Sequence, residues 1–484
     1  MPSTSLPFLS PGKSYDAVLN KTTAVAAGTS WLHTYFHSLA LKYGPIFKLR
    51  LGAKTAVVAS SPEVAREILK THDVTFANHD VPVAARVNSY GGEDVLWSPY
   101  GPHWRKLRKV CVLKMLSHAT LDSFYGLRRR EIRQNIRYLW GRARAGSPVN
   151  LGEQIFLTVF NVVTQMLWGA TVEGEEEREN LAAELRRLVT EMSEIEGLPN
   201  ISDFFPGLSR FDIQGLAKRM GGPAKRMDRM FDRVIDQRLR TVGDDRGDGQ
   251  DFLQFLLKVK DEDEKTPLSM NHVKALLMDM ILGGTDTSAN TIEFAMAEVI
   301  SKPEMMKKAQ QELDEVVGKD NIVEESHIPK LPYLLALMKE TLRLHPTFPL
   351  LVPRRPSESV VVSGYDIPKD SCVFINAWAI HRDPNAWENP SEFNPDRFLE
   401  NPNDFSGNDF RYIPFGSGRR ICAGIAMAER TVLYNLATLL HSFDWKVREG
   451  ERVEVEEIYG IPMKLKNPLM VIPVPRLSYP NLYL

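Results

Sequence analysis

Ten residues near the C-terminal end, Phe415 to Gly424 (F-G-S-G-R-R-I-C-A-G), constrain this chain more than any others. They set one cysteine, Cys422, in a turn opened by Gly416 and Gly418, flanked by Arg419 and Arg420 and followed by a stretch of helical periodicity. A free thiol is mostly protonated near neutral pH, but nearby guanidinium groups, free backbone N–H groups and a following helix N-terminus all favour the anion. A buried thiolate with that support is a metal ligand or a nucleophile. An isolated cysteine in a glycine turn is more often a small buried hydrophobe. The G-x-G of Gly416 and Gly418 also begins like a dinucleotide fingerprint, but Ile421 stands where the third glycine is required, and the strand-to-helix context is missing.

The bulk properties exclude more than they identify. At 484 residues the chain has room for several domains or one large helical body, and 43% hydrophobic residues supply a sizeable core. Sixty basic residues against 61 acidic ones leave a formal net charge of −1, so nothing speaks for a nucleic-acid partner. The three cysteines, Cys111, Cys372 and Cys422, are odd in number and widely spaced, which suits neither a disulfide framework nor a zinc site. No run approaches the ~18 consecutive apolar residues of a membrane-spanning helix.

Residues 46–60 alternate as a β-hairpin with Gly52 at the turn, and Ser61-Pro62-Glu63 opens a helix with a capping serine and proline in the first turn. Val81 to Pro102 reads as a loop. From His103 to Leu344 helical periodicity dominates, broken by charge runs at Glu173–Glu177, 241–250 and 261–265 that read as solvated loops. The helix from Asn271 to Ser301 is apolar on more than one face and so crosses the interior, yet it carries Gly283 and Gly284 in its middle. Each costs about 1 kcal/mol relative to alanine, which predicts a tight helix crossing or a local opening beside a ligand. Beyond Pro346 the text turns strand-like at Ser359–Ile367 and Cys372–Ala377. The expected architecture is mainly α, a large helical body with a smaller β-rich portion.

The string around Cys422 resembles the haem-ligand signature of the cytochrome P-450 monooxygenases, with Phe415, Gly418, Arg420, Cys422 and Gly424 each at its position. The resemblance covers nearly all of residues 32 to 475. It implies the cytochrome P-450 fold and haem b, with Cys422 as the axial thiolate whose electron donation favours O–O cleavage. It implies a single haem-thiolate monooxygenase domain over residues 32–484, after an irregular N-terminal segment, 1–31, without a transmembrane anchor. Plant microsomal members usually begin with such an anchor. Membrane association at the cytoplasmic face of the endoplasmic reticulum is therefore expected for a form that carries one, and the chain as it stands reads as soluble or peripheral.

The same resemblance assigns further residues. Glu340 and Arg343, an E-x-x-R pair on one helix face, would join Arg397 in a network that holds the cysteine loop. Gly283-Gly284-Thr285-Asp286-Thr287-Ser288 resembles the family's oxygen-activation segment, in which Thr287 hydrogen-bonds the oxygen being activated and Asp286 relays protons through water. Trp104 and Arg108, with Arg354 and Arg420, would bind the haem propionates through indole N–H and guanidinium donors; Arg355 is an alternative to Arg354. The exposed cations expected at Arg105, Lys106 and Lys109 would meet the acidic surface of an NADPH-dependent reductase, because the chain has no flavin or nicotinamide fingerprint of its own. Substrate-facing positions map to Phe204, Phe205, Gly283, Gly284, Phe348, Leu350, Leu351, Ile461 and Met463, with Tyr459 in the last stretch. Their apolar side chains imply a lipophilic small molecule, oxidised with O2, and several strings look like the plant flavonoid and terpenoid hydroxylases. A haem-thiolate isomerase or dehydratase and a non-catalytic haem-binding protein are the rival readings.

Overall fold

The computed structural model describes residues 31–169, 175–241, 251–262, 267–400, 403–458 and 460–484. The expected N-terminal segment, the latter two charge runs for the most part and Tyr459 lie outside the described residues.

Alternation in the first described stretch produces strands β1 (Ile46–Leu51) and β2 (Lys54–Ala59), paired antiparallel from Ile46↔Ala59 to Leu51↔Lys54 across the Gly52 turn. Three further strands complete this sheet: β3 (Asn78–His79), β4 (Arg354–Arg355) and β5 (Cys372–Ile375), in the order β1-β2-β5-β4-β3. β2 runs parallel to β5, and β4 is antiparallel to both its neighbours, so Arg354 lies opposite His79 on one side and Val373 on the other. The Ser359–Ile367 text forms a separate hairpin, Val360–Val362 with Tyr365–Ile367. Strands β6 (Glu457–Ile458) and β7 (Lys464–Leu465) make a small hairpin near the C-terminal end.

The helical body is built around a buried axis. Helix α1 (Pro102–Val110) begins at its proline. Then come α2 (Leu151–Trp168), whose residues from Ile155 onward are mostly buried, and α3 (Glu175–Glu196). Glu175–Glu177 thus begin α3, where the charge run led us to expect loop; acidic residues are favoured in a first helical turn by the helix dipole. The central axis consists of α4 (Met270–Gly284) and α5 (Asp286–Ser301), separated by Thr285 at φ −92°, ψ −72°. Most of its apolar residues are buried, as expected for a helix that crosses a core. Helices α6 (Pro332–Leu344) and α7 (Ile425–Ser442) pack against α5. The 81–102 loop differs from expectation in one respect: Ala85–Asn88 closes a short helical turn, held by Ser89 Oγ donating to the Ala85 carbonyl at 2.6 Å. No described helix is long and apolar enough to cross a membrane.

Candidate active site

The turn that carries Cys422 is held by its own backbone. The N–H of Cys422 donates to the Phe415 carbonyl at 3.0 Å, and that of Ile421 to Gly418 at 3.1 Å. Gly418 sits at φ +70°, and a Cβ there would lie 2.1 Å from the Leu69 carbonyl oxygen, so only glycine allows the turn to approach its neighbour. Gly424 caps α7, and its N–H points back to Cys422 Sγ at 3.3 Å. The N–H that reaches the sulfur thus comes from Gly424 at the start of α7, the following helix N-terminus of the sequence reading, and not from Gly416 or Gly418. Burial pushes the Cys422 thiol up, opposed by the Gly424 N–H and the Arg108 charge. The cysteine is nonetheless open to solvent, whereas Cys111 is buried and Cys372 largely so, their thiols pushed up by burial to about 12.

Two groups anchor this turn to α6. Tyr412 Oη donates to the Lys339 carbonyl at 2.8 Å, and His381 Nε2 accepts the Ile413 N–H at 3.0 Å. Burial, then the charges of Arg343 and Arg382, lower His381 to about 3, which keeps the ring neutral and the nitrogen free to accept. The His381 carbonyl in turn accepts from Arg343 Nη1 at 2.7 Å. Arg343 also donates to both Glu340 oxygens, at 2.7 and 2.8 Å, and Arg397 Nε reaches Glu340 Oε1 at 3.1 Å. The expected Glu340–Arg343–Arg397 network is present, and its path to the cysteine turn runs through His381, which no sequence motif marks.

The four residues expected to face an anionic cofactor edge do converge. Arg420 stacks over the Trp104 ring at 4.2 Å, Arg108 Nη2 donates to the Ile421 carbonyl at 2.5 Å, and Arg354 is buried on β4. Arg355 is half-exposed and pairs with Asp370 at 3.8 Å, so strand alternation assigns the interior position to Arg354. One role requires correction. The Trp104 indole N–H is bound to the Val95 carbonyl at 2.9 Å, so Trp104 supplies a ring face rather than a donor. A 4%-exposed indole must satisfy its N–H locally, and the 95–98 turn offers the nearest acceptor.

None of Arg108, Arg354 and Arg420 reaches a carboxylate at ion-pair distance among the described residues, and Arg354 makes no side-chain hydrogen bond to them. Burial lowers all three, Arg420 to about 10 and Arg354 to about 9, and the charge of Arg420 further depresses Arg354 while that of Arg108 further depresses Arg420. Backbone carbonyls take donors of Arg108 (Ile421) and Arg420 (Ala77 and Val95), but buried cations without a counter-charge are costly. A thiol open to solvent beside uncompensated guanidinium groups is a donor set that fits a haem, with iron on sulfur and carboxylates on the arginines.

The central helix opens near its middle. A Cβ on Gly283 would meet nothing within 4 Å, whereas one on Gly284 would touch Val163 at 3.4 Å. Of the two glycines, one faces open space and the other a helix crossing. Thr287 Oγ1 donates to the Gly283 carbonyl at 2.7 Å. Asp286 points away from the helix ladder: Ser193 Oγ on α3 donates to it at 3.0 Å, and Lys464 Nζ on β7 lies at 3.9 Å. Burial raises the Asp286 carboxyl despite Lys464 and Ser193. Sequence reasoning missed Ser193 and Lys464, since only the fold brings them to Asp286.

The apolar candidates divide. Met463 is buried, its N–H bound to the Thr347 carbonyl at 2.9 Å and its carbonyl to Asn290 Nδ2 at 3.1 Å, which places its stretch beside the central helix. Leu351 approaches the cysteine turn, 3.9 Å from a Cβ on Gly416, and Phe348 accepts its N–H at 3.0 Å. Leu350 belongs to the packed cluster under β1 and β2, which Phe204 also joins. Phe204 and Phe205 cover the Gly52 turn, where the Phe204 carbonyl accepts the Ala53 N–H at 2.9 Å, and Ile461 is partly exposed.

The family model for Cytochrome P450 matches residues 21–471. A flavonoid 3′-monooxygenase of Crocosmia x crocosmiiflora is 39% identical, covering 99% of this chain and 94% of that protein. A 3,9-dihydroxypterocarpan 6A-monooxygenase of Glycine max is 40% identical over 92% of this chain and 89% of its own length. A flavonoid 3′-monooxygenase of Petunia hybrida is 41% identical over 92% and 88%. A zebra fish cytochrome P450 solved with progesterone superposes with a TM-score of 0.75 at 24% identity, covering 92% of this chain and 99% of that one, which shows the shared fold.

Proposed function

Because the chain belongs to the cytochrome P450 family and is a haem-thiolate monooxygenase, we propose that Cys422 is the iron ligand and that the substrate is a lipophilic plant metabolite of flavonoid type. The observation that carries the ligand assignment is the contrast among the three thiols: Cys422 alone combines solvent access with a backbone N–H and a guanidinium that favour its anion. The flavonoid reading rests on the relatives at about 40% identity, which are flavonoid and pterocarpan oxygenases. It narrows the flavonoid-or-terpenoid choice left by the sequence.

Haem held in this way supplies reductive activation of O2, with one oxygen atom entering the substrate and the other leaving as water at the expense of NADPH. The chain's own residues prepare that chemistry. Arg108, Arg354 and Arg420 neutralise the carboxylates of the bound group and are relieved of their own burial cost. Thr287 presents a hydroxyl on the open side of the central helix. Asp286, its carboxyl raised by burial and tethered by Ser193 and Lys464, would relay protons toward that hydroxyl through water. The Glu340–Arg343–Arg397 network fixes the turn so that Cys422 meets the metal without reorganisation.

Electrons come from a redox partner. Arg105 and Lys109 are exposed on the outer face of α1 and Lys106 is partly so, a basic patch that suits an acidic NADPH-dependent reductase. Leu198, Ile201, Phe205, Leu208, Phe211 and Ile213 are exposed together on one stretch, an apolar patch that suits a membrane surface such as that of the endoplasmic reticulum.

Turnover assays with and without NADPH and reductase test the reading. Strict dependence on both supports the oxygenase; reaction with a hydroperoxide alone supports the isomerase or dehydratase; haem binding with neither supports a binding protein.

A further inference from the structure

The turn at residues 94–98 is held from two sides by different parts of the molecule. Its carbonyls accept from the cofactor edge: that of Val95 from the Trp104 indole N–H at 2.9 Å and from Arg420 Nη1 at 3.0 Å, and that of Ser98 from Arg420 Nη2. Its N–H groups meet two carboxyl groups. Asp279 Oδ2, on α4, accepts from Val95 at 2.7 Å, and Asp94 Oδ1 accepts from Trp97 at 2.6 Å. The positions of Arg420 and Trp104 are therefore tied, through one turn, to two aspartates.

Asp94 is 4% exposed and Asp279 only partly open. The two carboxyl groups also hydrogen-bond each other, which two ionised carboxylates cannot do. Like charges in contact repel, and one proton between them turns the repulsion into a hydrogen bond. Burial raises both groups, and the charge of Asp279 raises Asp94 further. The titratable groups facing the pair from neighbouring elements are Glu196 at the end of α3, Cys111 just beyond α1 and Arg420 of the cysteine turn. Cys111, pushed up to about 12 by burial, stays neutral, and Arg420 brings a positive charge to Asp94. One carboxylate on the pair is thus balanced; a second, beside the carboxylates of a bound haem, is not.

Resting on the haem edge assigned above, we propose that Asp94 and Asp279 share one proton and that this pair positions the cofactor edge, fastening the 94–98 turn to the central helix so that Arg420 and Trp104 face the haem carboxylates. Loss of the shared proton leaves two like charges in contact, the turn parts from α4, and its carbonyls no longer hold Arg420. An unfolded aspartate gives up its proton near pH ~4, whereas the pair keeps one. The stabilisation is therefore complete below that pH and is lost as pH rises through the raised value of the pair.

Transfer of haem from the loaded protein to an acceptor globin, followed between about pH 6 and 9, tests this. The parent should release haem about tenfold faster at the upper end, the equivalent of one pKa unit. Asp279→Asn keeps an oxygen for the Val95 N–H and offers Asp94 an amide donor that does not titrate, so it should hold haem as the parent does at the lower end and show no acceleration. Asp279→Leu has neither and should release haem about 10- to 100-fold faster throughout. Glu196→Gln, which removes the neighbouring carboxyl and leaves the pair, should keep the parent's pH dependence. A parent rate that does not change with pH, equal acceleration in Asp279→Asn, loss of the dependence in Glu196→Gln, or release from Asp279→Leu at the parent's rate overturns the inference and leaves the haem edge standing. Should Asp279→Leu not fold, the comparison of the parent with Asp279→Asn decides alone. Release from Arg420→Met no faster than from the parent removes the haem edge and this inference with it.

Discussion

The guanidinium of Arg343 is locked to the carboxylate of Glu340 by two hydrogen bonds of 2.7 and 2.8 Å, and neither side chain is exposed at all. The remaining Arg343 donors are taken by the carbonyls of His381, Pro390 and Glu392 at 2.7 to 2.9 Å. Every polar atom of this pair is therefore committed, and truncating one partner strands the other.

Arg343→Ala is expected to cost about 3–5 kcal/mol and to abolish haem retention, because the His381 carbonyl loses its donor and the Ile413 segment its anchor. Arg397→Ala should cost less, since Arg397 contributes one 3.1 Å bond to Glu340 and is partly exposed. Denaturant unfolding of both variants, with haem content by absorbance, checks the order; equal losses would contradict it.

His345 lies between two carboxylates, with Nε2 at 2.7 Å from Glu298 and Nδ1 at 2.6 Å from Glu457. Burial lowers its pKa, but the two acceptors outweigh burial and raise it above 6.5, while Glu298 and Glu457 are held below 4.5. A raised histidine contributes stability that is complete below its unfolded pKa and is lost as pH rises through the folded value. The carboxylates' share is present above their unfolded pKa and is lost as pH falls through their folded values. The difference in Tm between the parent protein and His345→Gln should thus be largest near pH 6 and narrow as the pH is raised. A constant difference would show that the ring is not charged.

Arg354 and Arg355 are adjacent on β4 and meet different fates. Arg354→Met should speed transfer of haem to an acceptor globin by about tenfold, the loss of one charge-assisted contact. Arg355→Met should leave the rate unchanged. Equal effects would remove Arg354 from the cofactor edge.

These cases show what the sequence could and could not reveal. Glu340 and Arg343 were legible because a spacing of three residues on one helix fixes their geometry. The choice between Arg354 and Arg355 depended on which face of a two-residue strand turned inward, and that is set by pairing with His79 and Val373, far away in sequence. The donor role expected of Trp104 failed because the 95–98 turn, whose path no local pattern specifies, brought a carbonyl to its N–H. A crossing or an opening in the central helix was readable from two adjacent glycines, whereas its division into two helices at Thr285 was not. That only Gly283 faces open space, while Gly284 meets Val163, required the packing of α2.

Thr287→Ala should retain haem, since its hydroxyl bonds only the Gly283 carbonyl within the helix. It should also consume NADPH with less product per equivalent, as proton delivery from Asp286 loses its acceptor group. Product yield against NADPH consumed measures this, and fully coupled turnover by the variant would exclude the hydroxyl from the reaction.

The most direct test of the account is the carbon monoxide difference spectrum of the reduced protein and of Cys422→Ala. Thiolate ligation opposite carbon monoxide gives a strongly red-shifted Soret band. The account predicts that band in the parent protein and its absence in Cys422→Ala. A parent protein that binds haem without the shifted band, or a variant that keeps it, would contradict the assignment of Cys422 as the ligand.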